Sequence, residues 1–209
     1  MALIKLNNKA VSNATAFGSI SSLGSMTFIK KLTASGSGTL SFVDGASGVV
    51  LDDTYKEYVF TFKDIHGSAD SYFSFNGSID GGSNYNVVKT TTVFNAYHYE
   101  NDGGAELHYD NNSQDLAQST AFQSLTEYQQ NSLNDSASVG TLHLFNPSST
   151  TFLKNFIINS NFMGTGGPNQ FTSNSYIAGY FNNTNDIDAI RFQMSSGNFD
   201  GDICLYGIA

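Results

Sequence analysis

The feature that most constrains this chain is a short-range alternation of apolar and polar residues, interrupted repeatedly by Gly, Asn, Asp and Ser. Residues 57–63 place Tyr58, Phe60 and Phe62 on one face of an extended chain, because successive side chains of a strand point to opposite sides. No segment shows an amphipathic helix with capping residues. The sequence therefore predicts an all-β fold of about ten short strands, arranged as a sandwich or barrel.

Turn residues separate the predicted strands. Residues 80–83 contain two glycines, which tolerate the positive φ of tight turns, and Pro147 and Pro168 also fall in predicted turns. We expect residues 164–169 to form a loop and the last two strands to form a hairpin. The predicted strands cover residues 26–32, 38–43, 57–63, 71–76, 85–99, 140–145, 152–162, 175–181, 187–194 and 201–208.

The same alternation predicts the core. The side chains expected to be buried are Tyr58, Phe60, Phe62, Phe73, Phe75, Leu142, Leu144, Ile190, Phe192, Ile203 and Leu205. The single cysteine, Cys204, excludes an internal disulfide, and we expect it to be a small buried strand residue.

The chain divides into an arm and one domain. Its 209 residues suit a single antiparallel, jelly-roll-like β-sandwich over residues 26–209. Residues 1–25 begin with the apolar Leu3, Ile4 and Leu6 and continue as a polar, small-residue stretch. We interpret them as an N-terminal arm that adds a strand to a partner, with a disordered tail as the alternative. The irregular residues 105–139 are expected to form a long loop or to carry one helical turn.

Charge and the lengths of the apolar runs argue against two classes of partner. The chain has nine basic residues against eighteen acidic ones, and its net charge is −9. Nucleic-acid binding depends on Lys and Arg neutralising phosphates, so we expect none here. No apolar run approaches the roughly 20 residues of a membrane helix, and we expect no membrane insertion.

Catalytic and metal-binding patterns are weak in this sequence. The four histidines, His66, His98, His108 and His143, lack metal-ligand spacing, so structural roles are expected. The acid pairs Asp186/Asp188 and Asp200/Asp202, each two residues apart, would share a strand face and could hold a hard cation, or could be solvated turn acids. We therefore predict no catalytic residues, no metal site and no cofactor.

Several segments together resemble virion structural proteins of marine tailed bacteriophages, including cyanophages. The matching segments are residues 1–8 (MALIKLNN), 55–60 (YKEYVF), 80–85 (DGGSNY), 142–147 (LHLFNP), 187–192 (IDAIRF) and 205–208 (LYGI). The resemblance covers nearly the whole chain and implies a non-enzymatic, tail-fibre-like or decoration-like particle component. It supplies no catalytic residues that could be assigned to this chain.

Three functions remain open at this stage. The first is a virion surface protein, either a head decoration or a tail appendage, that contacts other virion proteins and forms a homo-oligomer; the resemblance implies a trimer. The second is a carbohydrate-binding module for a host glycan, although the aromatic residues include no Trp. The third is a depolymerising enzyme. The arm residues Leu3, Ile4 and Leu6 are the predicted particle anchor.

Overall fold

The computed structural model describes residues 26–110, 114–126, 132–166 and 169–209, and every regular element within these ranges is a β-strand. The described part contains no helix long and apolar enough to cross a membrane. The strands are β1 Met26–Ser37, β2 Thr39–Val43, β3 Glu57–Gly67, β4 Phe73–Ser78, β5 Lys89–Tyr99, β6 Ala105–Tyr109, β7 Gln123–Ser124, β8 Ser138–Phe145, β9 Lys154–Gly166, β10 Asn169–Phe181, β11 Ala189–Met194 and β12 Phe199–Ile208.

The strands form two antiparallel sheets. The large sheet has eight strands in the order β1-β12-β3-β8-β9-β10-β5-β6, and the small sheet has four in the order β2-β11-β4-β7. The predicted antiparallel β-sandwich is therefore confirmed. Early strands pair with late ones in a nested series, β1 with β12, β2 with β11, β3 with β8 and β4 with β7.

Aromatic side chains from both sheets fill the space between them. Phe75 of the small sheet meets Phe156 of the large sheet with ring centroids 5.2 Å apart, and Phe42 meets Phe60 at 5.3 Å, both edge to face. Such edge-to-face pairs stabilise a core beyond their buried area. All eleven side chains predicted from the alternation are buried, so the core prediction is confirmed.

Cys204 is an exception among the buried-residue predictions. Its neighbours Ile203 and Leu205 are fully buried, and a residue between two inward-facing positions must point to the other face of the sheet. Cys204 is accordingly only partly buried.

Two predicted connections are wrong. β11 and β12 do not form a hairpin, because β11 pairs with β2 and β4 in the small sheet while β12 pairs with β1 and β3 in the large one. The chain therefore crosses between sheets at residues 195–198. The predicted loop over residues 164–169 is also mostly strand, since β9 runs to Gly166 and β10 starts at Asn169 with those two residues paired.

The described parts of residues 105–139 contain strands β6 and β7 and the start of β8, and no helical turn. Residues 114–126 connect the two sheets at one edge. Ser119 exchanges two backbone hydrogen bonds with Lys89 of β5, and the Leu116 carbonyl accepts one from the Thr91 N–H. The Leu125 N–H donates to the Phe73 carbonyl in the small sheet at 2.7 Å. The segment is irregular because its backbone groups bond to two differently oriented sheets.

Candidate functional site on the outer face of the large sheet

The outer face of the large sheet carries a row of exposed rings. Directly opposed residues of an antiparallel pair share a face, so the register aligns Asn159, Tyr176, Phe94 and Tyr109 across β9, β10, β5 and β6. The Phe94 and Tyr176 rings stack with centroids 4.8 Å apart and 12° between their planes. Phe94 is 44% exposed and Tyr109 is 51% exposed. We call Phe94, Tyr176 and Tyr109 the aromatic ridge.

A shallow trough lies beside the ridge. In the next row of the register, Ala178 and Thr92 carry small side chains beside the rings, and Ile157, 53% exposed, bounds them on β9. Thr92, Ile157 and Ala178 line a depression of about 310 Å³ together with the ridge residues Phe94 and Tyr176. A second depression of about 480 Å³ continues it toward Tyr180. The aromatic ridge and the trough together form a contiguous exposed apolar patch. Patches of this kind are more typical of interaction sites than of the ordinary surface of a monomer.

The polar side chains of this face bond to one another. The Asn174 Nδ2 donates to the Asn159 Oδ1 at 2.9 Å, and the Asn161 Nδ2 donates to the Thr172 Oγ1 at 3.0 Å and to the Ser173 carbonyl at 2.9 Å. These amide groups therefore have partners without any ligand. The face offers shape and apolar area more than hydrogen-bonding capacity.

Charged groups lie at the margins of the face. The outward-facing described residues of β5, β8, β9 and β10 include no Asp, Glu, Lys or Arg. At the margin, His143 contacts the Glu57 carboxylate at 2.6 Å, and the Tyr109 hydroxyl donates to Asp115 at 2.9 Å. A charge-free centre with charged margins resembles the composition of protein–protein interfaces.

Two buried lysines flank Phe181 on the inner face, in register with it on β5 and β9. The Lys89 Nζ donates to the Asn76 Oδ1 at 2.9 Å, the Ala121 carbonyl at 2.6 Å and the Val87 carbonyl at 3.2 Å. These acceptors are uncharged, and burial lowers the pKa of Lys89 to about 7. Because the side chain of Lys89 has no exposed surface, we infer a structural role for it and not a role in chemistry on a substrate.

The second buried lysine is Lys154, whose Nζ donates to the carbonyls of Asn183 at 3.1 Å and Asn185 at 2.6 Å. Burial lowers the pKa of Lys154, and the charge of Asp186 partly offsets this effect. Lys154 thereby ties the loop before β11 to the edge of the core.

The structure separates the members of the first acid pair. Asp186 is exposed and acts on Lys154 through its charge. The Asp188 Oδ2 instead accepts a hydrogen bond from the Gly81 N–H at 2.8 Å, in the turn where Gly81 and Gly82 both have positive φ.

The second acid pair lies on one face of β12 as expected, because the alternate residues Phe199 and Ile203 are buried, but its two members bind different groups. A register shift separates Asp200 from Asp202 on β12, with Gly201 between them at a φ of 130°. The Asp200 Oδ1 accepts from the Gly36 N–H, while Asp202 accepts from Lys31 at 2.7 Å and from the Thr33 hydroxyl at 2.6 Å. The hydrogen bonds from Lys31 and Thr33 lower the pKa of Asp202 to about 2. Asp202 therefore belongs to a lysine ion pair.

The histidines lie in separate local settings. The His66 Nδ1 contacts the Ser136 carbonyl at 2.7 Å, His98 contacts Asp102 at 3.1 Å, and His108 lies edge to face with the Tyr97 ring. Within the described ranges, no group of three or more His, Cys, Asp or Glu side chains is arranged to hold a metal ion.

The predicted anchor residues Leu3, Ile4 and Leu6 lie outside the described residues, as does Pro168. The aromatic ridge, in contrast, was not predicted as a site. Phe94 and Tyr176 are distant in sequence, and only the β5–β10 register brings them together. The sequence of β5 held one indication of the ridge, because apolar residues occur on both faces of this strand. Val93 is buried, whereas its neighbour Phe94 is exposed.

Comparison of the chain with models of known protein families, with curated proteins and with solved structures gives no match.

Proposed function

We propose that this chain belongs to the class of non-enzymatic β-sandwich proteins that act through surface contacts. Within that class, we propose a structural protein of a tailed bacteriophage particle, displayed on the virion surface as a head decoration or a tail appendage component. The sequence resemblance described above motivates the particular assignment. The exposed aromatic ridge, surrounded by a charge-free face, is the observation that supports a contact function.

The proposed protein is a homo-oligomer, with a trimer expected from the resemblance. Residues 1–25 serve as the anchor, with Leu3, Ile4 and Leu6 adding a strand to a sheet edge of another virion protein. Several arms on one oligomer bind with avidity, because attachment of one arm raises the local concentration of the others. The sandwich then faces solvent, where it reinforces the shell or contacts the host.

Deletion of residues 2–24 tests the anchor, because the strands of the sandwich start at Met26. The shortened protein should keep the circular dichroism spectrum and unfolding midpoint of the full chain but fail to co-purify with particles in a density gradient. A matched control replaces only residues 12–24 with a Gly/Ser sequence of equal length and should still co-purify. Normal particle association of the deletion variant would contradict anchoring by the arm.

Detection of the chain itself in purified particles tests the wider assignment. Mass spectrometry of gradient-purified, nuclease-treated particles should find its peptides at a fixed ratio to the major capsid protein. Absence of the chain from intact particles of the virus that encodes it would reject the virion function.

Glycan binding is the second candidate, favoured by one observation, the stacked pair Phe94 and Tyr176, since sugars pack on aromatic faces. The hydrogen bonds of Asn174 to Asn159 and of Asn161 to Thr172 and Ser173 count against it, because a sugar would find few free amide groups there. Binding of the full chain to a glycan array, lost in a Tyr176→Ala variant, would favour this candidate over the contact function.

A further inference from the structure

We infer that the outer face of the large sheet is the contact between copies of this chain, with the aromatic ridge of one copy packed into the trough of the next. The inference rests on the homo-oligomer in the proposed function and assigns its interface to particular residues. The occupant is a second copy because of three properties of the face: its charge, its area and its shape.

The charge of the chain limits where two copies can meet. Each copy carries a net charge of −9, so copies repel one another over most of their surfaces. The outward-facing described residues of β5, β8, β9 and β10 lack carboxylates, and acids at the margin of the face, Glu57, Asp102 and Asp115, contact His143, His98 and Tyr109. Close approach through this face therefore leaves the acidic groups at the margin in water, where salt screens them.

The face is close in area to one side of a stable protein–protein contact. It spans the strands β8, β9, β10, β5 and β6, which at ~4.8 Å per strand is about 24 Å across. Its outward residues on β5 run from Thr90 to His98, about 27 Å at ~3.4 Å per residue. The resulting area of about 650 Å², before the relief of the side chains is counted, approaches the roughly 800 Å² per partner of a stable complex.

The shape of the face is complementary to itself. The ridge and the trough occupy neighbouring rows of the same register, with Ala178 between the exposed Tyr176 and the half-buried Tyr180 on β10. A ring from one copy can enter the space above Ala178 of the next copy without displacing a charged group. Because ridge and trough belong to one face, the packing is reciprocal, and each contact of this kind pairs two copies about a twofold axis.

The test measures the mass of the full-length protein in solution by sedimentation velocity from 1 to 100 µM. The wild-type chain should form an oligomer of the 22.5 kDa subunit. Ala178→Arg should weaken association by at least about 30-fold, since it places a charge at the centre of the contact. Thr39→Arg, on an exposed residue of the small sheet, should leave association unchanged.

Folding of each variant is checked by its unfolding midpoint. If Ala178→Arg fails to fold, the outward-facing variants Tyr176→Ser and Phe94→Ser replace it and should also weaken association. A monomeric wild-type chain at 100 µM, or undiminished association of the folded face variants, would overturn the inference. Particle association is measured separately through the arm deletion, so failure of this interface is distinguishable from failure of the virion assignment.

Discussion

Replacement of Lys89 by Met should remove a pH dependence of stability that burial creates. The ammonium group of Lys89 lies between the sheets with uncharged acceptors, and burial lowers its pKa from 10.5 to about 7. Between these values the unfolded chain holds a proton that the folded chain has released. The free energy of unfolding therefore rises with pH across this window, because stability increases wherever the unfolded state binds more protons.

The magnitude follows from the two pKa values. The pKa of Lys89 differs by about 3.5 between the unfolded and the folded chain, from 10.5 to about 7. Each pKa unit corresponds to about 1.4 kcal/mol, so the gain in the free energy of unfolding has an upper limit of about 5 kcal/mol. We expect a realised gain of a few kcal/mol between pH 7 and pH 10, since buried groups relax around a charge. Lys89→Met also leaves the acceptors of the amine without a donor, which costs about 1–3 kcal/mol for each buried group and does not depend on pH.

Urea unfolding followed by circular dichroism, at intervals from pH 7 to pH 10, measures this difference. The wild-type free energy of unfolding should rise relative to that of Lys89→Met, so the gap between them widens with pH. Lys56→Met, at an exposed lysine, serves as the control and should run parallel to the wild type. Parallel curves for the wild type and Lys89→Met would refute the reasoning.

Three further predictions concern the core, a close backbone approach and a surface ion pair. Phe60→Ala should lower the free energy of unfolding by roughly 3–5 kcal/mol, as for other buried aromatics, measured by urea unfolding; a loss within the error of measurement would show that the site is not core. Gly140→Ala should destabilise by about 1–3 kcal/mol, since its Cβ would meet the Asn159 carbonyl and the Phe62 ring. Gly38→Ala, whose Cβ meets its nearest atom at 3.6 Å, should have little effect, and equal losses at both sites would contradict the packing argument. Asp202 should titrate near pH 2 by carboxyl NMR and shift upward in Lys31→Met; an unchanged titration would exclude the Lys31 hydrogen bond as its cause.

The alternation of residues predicted the strands and the core because burial in a strand repeats every second residue. Phe60, Phe75 and Phe192 could each be assigned an inward direction without knowledge of their neighbours. Pairing could not be predicted in the same way. β11 and β12 are separated by a short turn that suits a hairpin, but each finds its partners among strands far away in sequence.

The candidate site depends on this long-range pairing. Leu107 is 69% exposed and faces Ala96 across β5 and β6, so its place beside the aromatic ridge is a consequence of register. Lys89 was missed for another reason. A lysine in an alternating segment suggests an outward position, and its inward direction becomes visible only once Asn76 and Ala121 provide acceptors across the interior.

The pairing of the first and last strands has a practical consequence for display of foreign peptides. Met26 lies directly opposite Ile208, so whatever precedes β1 and whatever follows β12 emerge at the same corner of the sandwich. A tag fused after Ile208 would crowd the start of β1. The crossing at residues 195–198 lies at the other end of β12, ten residues away, or roughly 30 Å along the strand. An epitope inserted there would lie far from the start of β1, which makes this connection the better position for cargo or an affinity label.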